Sequence, residues 1–256
     1  MQELYRIVEN PRRCSYLPAE RAALEYRLVG DLQPQEYSEL LARGYRRFGR
    51  QLFRPACPAC SQCVSLRVEV QHFHPTRSQK RAWRRNAAVR AELHPLFLSR
   101  QQLGLYRLYH QDMTRQRGWP MPQFSAESFS ESFLLGGERF GRQWLFWIED
   151  RLAGVAFMDE VPDAVSMVYY FHHPDWRSAS PGTFSILTQI EYARRKGLKY
   201  AYLGYWIEKC GSMDYKSNFR PHQSLQGYPK DGEKPRWQKE AGGRNQESGV
   251  RKKGRV

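Results

Sequence analysis

The sequence predicts an α+β fold in which mixed sheets are flanked by helices. Residues 165–171 are rich in β-branched and aromatic residues, and a loop with two Pro and a Gly separates them from an apolar pattern of period near 3.6. With the apolar run at 199–203, residues 166–213 therefore form a predicted strand, loop, helix and strand. Upstream, apolar runs between residues 143 and 171 are divided by turns at Asp150 and Pro162, which indicates three antiparallel strands.

The remaining elements follow from spacing and end signals. Apolar residues recur at helical spacing in four segments before residue 140, and 64–70 alternates as a strand. We expect Thr183 to cap the helix of the β-α-β unit and Gly197 to end it. The predicted earlier helices span residues 34–45, 78–93, 101–117 and 125–135.

Changes in pattern divide the chain into three predicted regions. Residues 1–140 form an N-terminal domain with a cysteine loop and a basic helix, and residues 141–229 form a C-terminal domain. Residues 230–256 hold nine Lys or Arg against four Asp or Glu and five Gly, a composition typical of a disordered basic tail.

Charge and hydropathy restrict the class of partner. The chain has 256 residues and a formal net charge of +15 at pH 7, which favours a polyanion such as nucleic acid. No segment has the apolar length of a signal peptide or approaches the roughly 20 apolar residues of a membrane-spanning helix. We therefore expect a cytoplasmic protein with no membrane partner.

Three cysteines stand in a C-x-x-C-x-x-C arrangement. Cys57, Cys60 and Cys63 share one short loop, and Cys14 is the available upstream candidate for a fourth ligand. Thiolates at this spacing suit a structural Zn²⁺ ion or an iron–sulfur cluster. Two other interpretations remain open at this point: small buried residues without metal, and redox-sensitive thiols.

A basic stripe marks the predicted helix 78–93. Its members recur at helical spacing, so they share one face, and no acidic residue occurs between Gln71 and Ala91. A one-sided positive field suits a phosphate backbone, although an exposed basic helix without a partner is the plain alternative. The residues predicted to contact the phosphate backbone of a nucleic acid are Arg77, Lys80, Arg81, Arg84 and Arg85.

These motifs together resemble the bacterial aminoacyl-tRNA–protein transferases, relatives of the eukaryotic arginyl-tRNA–protein transferases. The resemblance covers about residues 11–229. It lies in CSYLP from Cys14, GYRRFG from Gly44, RPACPACSQCVSLRV from Arg54, SQKRAWRRN from Ser78, and the block from Tyr169 through YLGYWI and MDYKSNFRP.

The resemblance implies a doubled GNAT-like acyltransferase fold that takes the 3′ end of an aminoacyl-tRNA in place of an acyl-coenzyme A. The short bacterial members are aspartate/glutamate leucyltransferases. They imply transfer of leucine from leucyl-tRNA to the N-terminal α-amine of proteins that begin with Asp or Glu, which marks those proteins for degradation. The aminoacyl ester is already activated, so no cofactor is required for the chemistry.

That reaction suggests roles for residues near the β-α-β unit. The N–H groups of Gly182 and Thr183, at a helix N-terminus, suit an oxyanion. Asp214, Tyr205 and Glu191 are candidates for amine recognition or proton removal. Each also has a structural interpretation, Tyr205 as core, Asp214 paired with Lys216, and Glu191 paired with Arg195.

The acidic side chain of the acceptor protein requires a cation. Arg46 and Arg47 are the first choice, because a guanidinium holds a carboxylate bidentately. Tyr169, Lys216 and Arg220 are predicted to contact the acceptor or the tRNA end. Where family members carry Ser-Leu-Gly-Thr at the helix start, this chain has SASPGT at 178–183, which indicates a reshaped loop.

Four alternatives fit part of the sequence. Transfer of arginine from arginyl-tRNA would follow the same mechanism and would place the chain with the arginyl-tRNA–protein transferases. A coenzyme A acetyltransferase normally needs a Gly-rich pyrophosphate loop, which RSASPGT does not supply. A peptidoglycan-directed aminoacyl-tRNA transferase leaves the cysteine loop unexplained, and a non-catalytic, metal-stabilised RNA-binding protein leaves residues 166–213 unexplained.

Overall fold

The computed structural model describes residues 2–240 and confirms the α+β class with mixed sheets. The strands are β1 (Glu3–Val8), β2 (Arg12–Arg13), β3 (Arg21–Ala22), β4 (Leu24–Val29), β5 (Arg46–Phe48), β6 (Gln51–Pro55), β7 (Val64–Glu69), β8 (Arg90–Pro95), β9 (Gly141–Ile148), β10 (Arg151–Val161), β11 (Ala164–His172), β12 (Tyr200–Trp206), β13 (His222–Leu225) and β14 (Trp237–Lys239). The helices are α1 (Pro34–Ala42), α2 (Arg77–Arg85), α3 (Arg100–Arg117), α4 (Ala126–Phe129) and α5 (Pro181–Arg195). Shorter helical turns lie at Val70–His72, Ser130–Leu134, Pro174–Ala179 and Asp214–Asn218.

An eight-stranded sheet forms the centre, in the order β14-β13-β7-β12-β11-β10-β9-β8. Strands β9, β10 and β11 form the predicted antiparallel meander, and α5 then leads to β12, which pairs parallel to β11. Strands β7 and β8, which precede residue 140, belong to this same sheet. The sheet therefore includes strands from both sides of the predicted boundary at residue 140.

Helices cover both faces of the large sheet because its central strands are apolar on both sides. Phe146 and Ala156 contribute to the core beneath α5, while their chain neighbours Leu145 and Val155 contribute to the core beneath α3 and α4. This alternation is the period of two that strands impose on side-chain direction.

A second sheet, in the order β1-β4-β6-β5, packs with α1 against the large sheet. The C-terminal segment 228–240 holds the two sheets together. Asp231 lies 2.7 Å from the guanidinium of Arg27 on β4, and the indole of Trp237 on β14 donates to the carbonyl of Ala42 at 3.0 Å. Arg67 of the large sheet lies 3.8 Å from the ring centre of Tyr200 and 4.1 Å from that of Trp237.

Three sequence predictions differ from the structure. The helix predicted over 78–93 ends at Arg85, and the chain returns as strand β8. Ser180, with a positive φ of 60°, is the N-cap of α5, so Thr183 lies within the helix and does not cap it. Residues 230–240 of the predicted disordered tail include β14, and residues 241–256 lie outside the described part of the chain.

No helix among residues 2–240 is long and apolar enough to cross a membrane.

Candidate active site

The candidate site lies where β11 and β12 separate. The two strands pair over only three positions, from Ala164 with Tyr200 to Ser166 with Tyr202, although β11 continues to His172 and β12 to Trp206. Beyond Ser166, strands β11 and β12 do not pair with each other. The resulting opening, which we call the splay, exposes backbone groups and side chains of both strands to a shared space.

Arg46 occupies the base of the splay. Its guanidinium donates to the hydroxyl of Ser166 at 2.9 Å and to the carbonyl of Met167, and the side chain is 7% exposed. Gly204 has a φ of 82°, a conformation that favours glycine, and an added Cβ there would lie 3.5 Å from Arg46 Nε, which places this part of β12 beside the guanidinium. Within residues 2–240 no carboxylate forms an ion pair with Arg46. A buried guanidinium that lacks a carboxylate partner is suited to bind the carboxylate of a ligand.

Arg47 lies on the opposite side of β5 and is fully engaged. Its guanidinium forms a bidentate pair with Asp159, at 2.7 and 3.1 Å, and donates to the carbonyls of Gly49 and Leu135. Both ionised side chains are almost completely buried. Arg47 therefore holds β5 onto β10 and has no open position for a substrate carboxylate, contrary to the sequence prediction.

Tyr205 also has a structural role. Its hydroxyl lies 2.9 Å from the carbonyl oxygen of Gly44 and 3.0 Å from that of Phe53, which places β12 against the small sheet. Burial raises the pKa of Tyr205 well above its usual value. A phenol that stays protonated and is held by backbone carbonyls favours the structural interpretation of Tyr205, and its role in amine recognition or proton removal stays a prediction.

Lys216 and Asp214 lie on the helical turn Asp214–Asn218, beside the end of β12. Lys216 Nζ donates to the carbonyl of Tyr205 at 2.7 Å, and its partial burial lowers the pKa of its ammonium to about 7. Asp214 is exposed and accepts a 3.2 Å hydrogen bond from the indole of Trp206. The two residues do not form the ion pair that the sequence allowed.

The N-terminus of α5 closes another side of the splay. Phe184 N–H makes the first helical hydrogen bond, to Ser180, so the amides of Gly182 and Thr183 are in the turn whose N–H groups have no helical partner. Gly182 lies next to the ring of Tyr170 on β11. The hydroxyl of Tyr170 is buried and has no hydrogen-bond partner among the described residues. These groups are donors without a partner among the described residues, and their role toward an oxyanion stays a prediction.

Three other candidates have partners among the described residues. Tyr169 contacts His110 of α3, with 3.0 Å between its hydroxyl and Nε2, and stacks on Phe133. Glu191 pairs with Arg194 and Arg195 at 3.0 Å each, as its structural interpretation stated. Arg220 is exposed, donates to the carbonyl of Ser217, and lies 3.7 Å from Glu240.

The basic face of α2 is exposed as predicted. Thr76 caps the helix by accepting from Gln79 N–H at 3.3 Å, and Ala82 faces the core. None of the five basic side chains on α2 forms an ion pair or side-chain hydrogen bond with another of residues 2–240. These side chains are Arg77, Lys80, Arg81, Arg84 and Arg85.

Helix α2 is hydrogen-bonded to both rims of the splay. Gln79 donates to the carbonyl of Asn218 at 3.1 Å, at the end of the turn that holds Lys216. At the other end of α2, Asn86 donates to the carbonyl of Ala179 at 2.8 Å, in the turn that precedes α5, and accepts from Trp176 at 2.7 Å. The exposed basic face is thereby fixed relative to both rims of the splay.

The cysteine loop does not form the predicted metal site in this arrangement. Burial raises the pKa of the Cys63 thiol to about 12, and the neighbouring thiols of Cys57, Cys14, Cys60 and Cys210 add to the rise. The five cysteines therefore share one region, which the sequence did not predict for Cys210. However, no three Cys, His, Asp or Glu side chains among the described residues are placed to hold a metal ion together. The four predicted ligands do not fit a metal as they stand.

Sequence reasoning missed Ser166, Gln79, Asn86 and Tyr170. Ser166 and Tyr170 are polar positions within an apolar strand, a signal that is visible in AVSMVYYF but does not identify a partner. Gln79 and Asn86 are buried amides at the two ends of a basic helix, where polar residues are expected for capping alone.

Two family models match the chain. The model described as arginine-tRNA-protein transferase, N terminus, matches residues 12–81, and the corresponding C-terminus model matches residues 101–226. Aspartate/glutamate leucyltransferase of Campylobacter jejuni strain 81-176 is 35% identical over 215 residues, 84% of this chain and 90% of that protein. The protein of the same name from Pseudomonas fluorescens is 38% identical over 232 residues, 88% and 96% of the two chains.

Among solved structures, the crystal structure of FemX aligns with a TM-score of 0.46 and 9% identity, over 81% of each chain.

Proposed function

This chain belongs to the arginine-tRNA-protein transferase family, and from that premise we propose that it transfers leucine from leucyl-tRNA to the N-terminal α-amine of proteins that begin with Asp or Glu. The observation that carries the proposal is the attachment of α2 to both rims of the splay. A basic face for the RNA backbone is held beside an opening that contains an unneutralised arginine, a partly buried lysine and a helix N-terminus.

The reaction joins an amine to an ester. The α-amine nitrogen attacks the carbonyl carbon that links leucine to the terminal ribose, a C–N bond forms, and the C–O bond to the ribose breaks. Alignment of two bound reactants supplies roughly 7–11 kcal/mol of barrier lowering in favourable cases. The proposed roles are therefore mostly positional: α2 for the tRNA, Arg46 for the acidic side chain, and the amides of Gly182 and Thr183 for the developing oxyanion.

The leucyl donor is supported by the names of the bacterial relatives, which align over most of their length with this chain. An arginyl donor is the second candidate, because the matching family models describe arginine-tRNA-protein transferases. In either case the product carries a new N-terminal residue, and we propose that it marks the acceptor for degradation. Since charged tRNA is made in the cytoplasm, we place the reaction there.

We expect labelled leucine to move from charged tRNA to peptides that begin with Asp or Glu, and not to peptides that begin with Ala or Lys. An Asp peptide with an acetylated N-terminus is the matched control, since it retains the carboxylate and lacks the attacking amine. Labelled product is measured after peptide separation. Transfer of arginine instead of leucine would show that arginyl-tRNA is the donor. Absence of transfer from either tRNA would refute the enzymatic proposal.

The basic face of α2 has its own test. A variant with Lys80→Gln and Arg84→Gln removes two exposed charges, so we expect weaker tRNA binding and a salt dependence that is shallower by about one unit of slope per lost phosphate contact. Arg115→Gln with Arg117→Gln, at the exposed end of α3, is the control with equal charge loss. Equal weakening by both variants, measured by filter binding across a salt series, would show that only net charge matters.

A further inference from the structure

Lys216 has an environment that its proposed role in substrate contact does not explain. Its ammonium donates to the carbonyl of Tyr205 at 2.7 Å and lies 3.2 Å from the sulfur of Met213. No carboxylate pairs with it anywhere in residues 2–240. A partly buried lysine is ordinarily paired with an acid, because a charge away from water is otherwise expensive.

The groups that face Lys216 come from three parts of the fold. Arg46 approaches from β5, and its positive charge acts with burial to lower the lysine pKa to about 7. The thiols of Cys63 and Cys210 would oppose this effect only when ionised, and the Cys63 thiol has a pKa of about 12. Asp214, on the same turn, accepts from Trp206 and not from Lys216. The amine of Lys216 is thus neutral in a substantial fraction of molecules near pH 7.

The position of Lys216 relative to Arg46 indicates which substrate group its neutral amine could contact. In an N-terminal aspartate, only two carbon atoms lie between the α-nitrogen and the side-chain carboxyl group. Lys216 Nζ donates to the carbonyl of Tyr205, and the neighbouring Gly204 lies beside the guanidinium of Arg46, where an added Cβ would be 3.5 Å from Nε. A carboxylate bound at Arg46 would therefore bring the α-amine to the part of β12 that Lys216 contacts. This placement rests on the acceptor role of Arg46 proposed above.

We infer that Lys216 is the catalytic base that accepts a proton from the attacking α-amine. The acceptor enters as the neutral amine, having lost its first proton to solvent. As the nitrogen bonds to the ester carbonyl carbon, one N–H proton passes to Lys216 Nζ. As the C–O bond breaks, that proton passes to the departing ribose oxygen, which leaves as a hydroxyl. Lysine returns to its neutral form, and no further reactant is consumed.

The main test separates proton transfer from positive charge. Lys216→Arg keeps a cation and a donor for the Tyr205 carbonyl, but a guanidinium stays protonated at neutral pH. With saturating leucyl-tRNA and Asp peptide, we expect kcat to fall by about 10²- to 10⁴-fold, the usual contribution of general base catalysis. The melting temperature and tRNA affinity should remain unchanged. Lys209→Arg, the same exchange at an exposed position nearby, should keep wild-type kcat.

The dependence on pH gives an independent readout. The wild-type kcat should rise through two inflections, one near pH 7 from Lys216 and one at about pH 8 from the α-amine of the acceptor, and Lys216→Arg should keep only the second. Wild-type transfer is measured first, so a failure of the proposed function is distinguished from a failure of this inference. Retention of kcat within a few-fold by Lys216→Arg, with an unaltered pH profile, would overturn the inference and leave the transferase function standing.

If Lys216→Arg folds poorly, Lys216→Ala with added methylamine provides the second test. A small primary amine can occupy the vacated space and accept the proton, so peptide product should increase with the concentration of unprotonated methylamine. Product must be measured as leucylated peptide, because methylamine also consumes the ester directly. A Lys216→Ala protein that binds tRNA and shows no such increase would refute the role of Lys216 as a base.

Discussion

We expect Arg46→Met to raise the KM for peptides that begin with Asp or Glu by about 100-fold, the equivalent of about 3 kcal/mol, and to leave the KM for leucyl-tRNA nearly unchanged. The reason is that Arg46 is a buried guanidinium without a carboxylate partner in residues 2–240, fixed by Ser166 and Met167 at the base of the splay. Loss of one partner from a desolvated, hydrogen-bonded charge pair has a cost of this size. Steady-state kinetics with each substrate varied in turn measure it.

Two further variants make this result specific. Arg46→Lys keeps the charge but not the planar pair of donors, so its KM should lie between those of the wild type and Arg46→Met. Arg50→Met removes an exposed arginine from the adjoining turn and should change neither KM. A similar rise in KM for the peptide and for leucyl-tRNA would argue against recognition of the acidic side chain by Arg46.

Asp159→Ala, by contrast, acts on stability. It leaves the guanidinium of Arg47 buried without its carboxylate and removes the partner of the Tyr37 hydroxyl, which lies 3.0 Å from Asp159. Breaking a buried pair from one side typically costs about 3–5 kcal/mol, so we expect a loss of that size in the free energy of unfolding. Urea denaturation followed by circular dichroism provides the measurement.

The double variant Arg47→Met with Asp159→Leu tests whether the missing partner causes the loss. Because it removes both charges, we expect it to recover most of the stability that Asp159→Ala loses. Asp175→Ala breaks the exposed contact with Arg151 and should cost under about 1 kcal/mol. If Asp159→Ala costs no more than Asp175→Ala, the pair does not hold β5 onto β10 as described.

The adjacent arginines illustrate what the sequence could and could not predict. Both precede Phe48 in GYRRFG, and both met the chemical requirement for a carboxylate. Because side chains alternate along a strand, Arg46 and Arg47 lie on opposite sides of β5. The partner of Arg47 is Asp159 in β10, 112 positions away in the sequence. No local pattern specifies such a pairing, so sequence reasoning could select the pair of residues but not choose between them.

Local elements could be predicted because their signals lie within one short segment of the sequence. Pairings between distant segments have no such local signal. Helices α1 and α3 and the meander β9–β11 follow from periodicity and end signals within each segment. Helix α2 was predicted too long because Asn86, which ends it by bonding to Ala82 and Ala179, resembles an ordinary polar position in the sequence. The insertion of β7 between β12 and β13 depends on pairing between residues more than 130 positions apart.

The segment 228–240 has a consequence for the order in which the protein can be completed during synthesis. The chain leaves the ribosome from its N-terminus, and domains generally fold as they emerge. Strand β4 and helix α1 are therefore made well before Asp231 and Trp237, which bind Arg27 and the carbonyl of Ala42. By then the two sheets are already joined through Arg47 with Asp159 and through Tyr205. The contacts of Asp231 and Trp237 are the last to form, so a ribosome that stalls shortly before residue 228 holds a chain in which the small sheet lacks them.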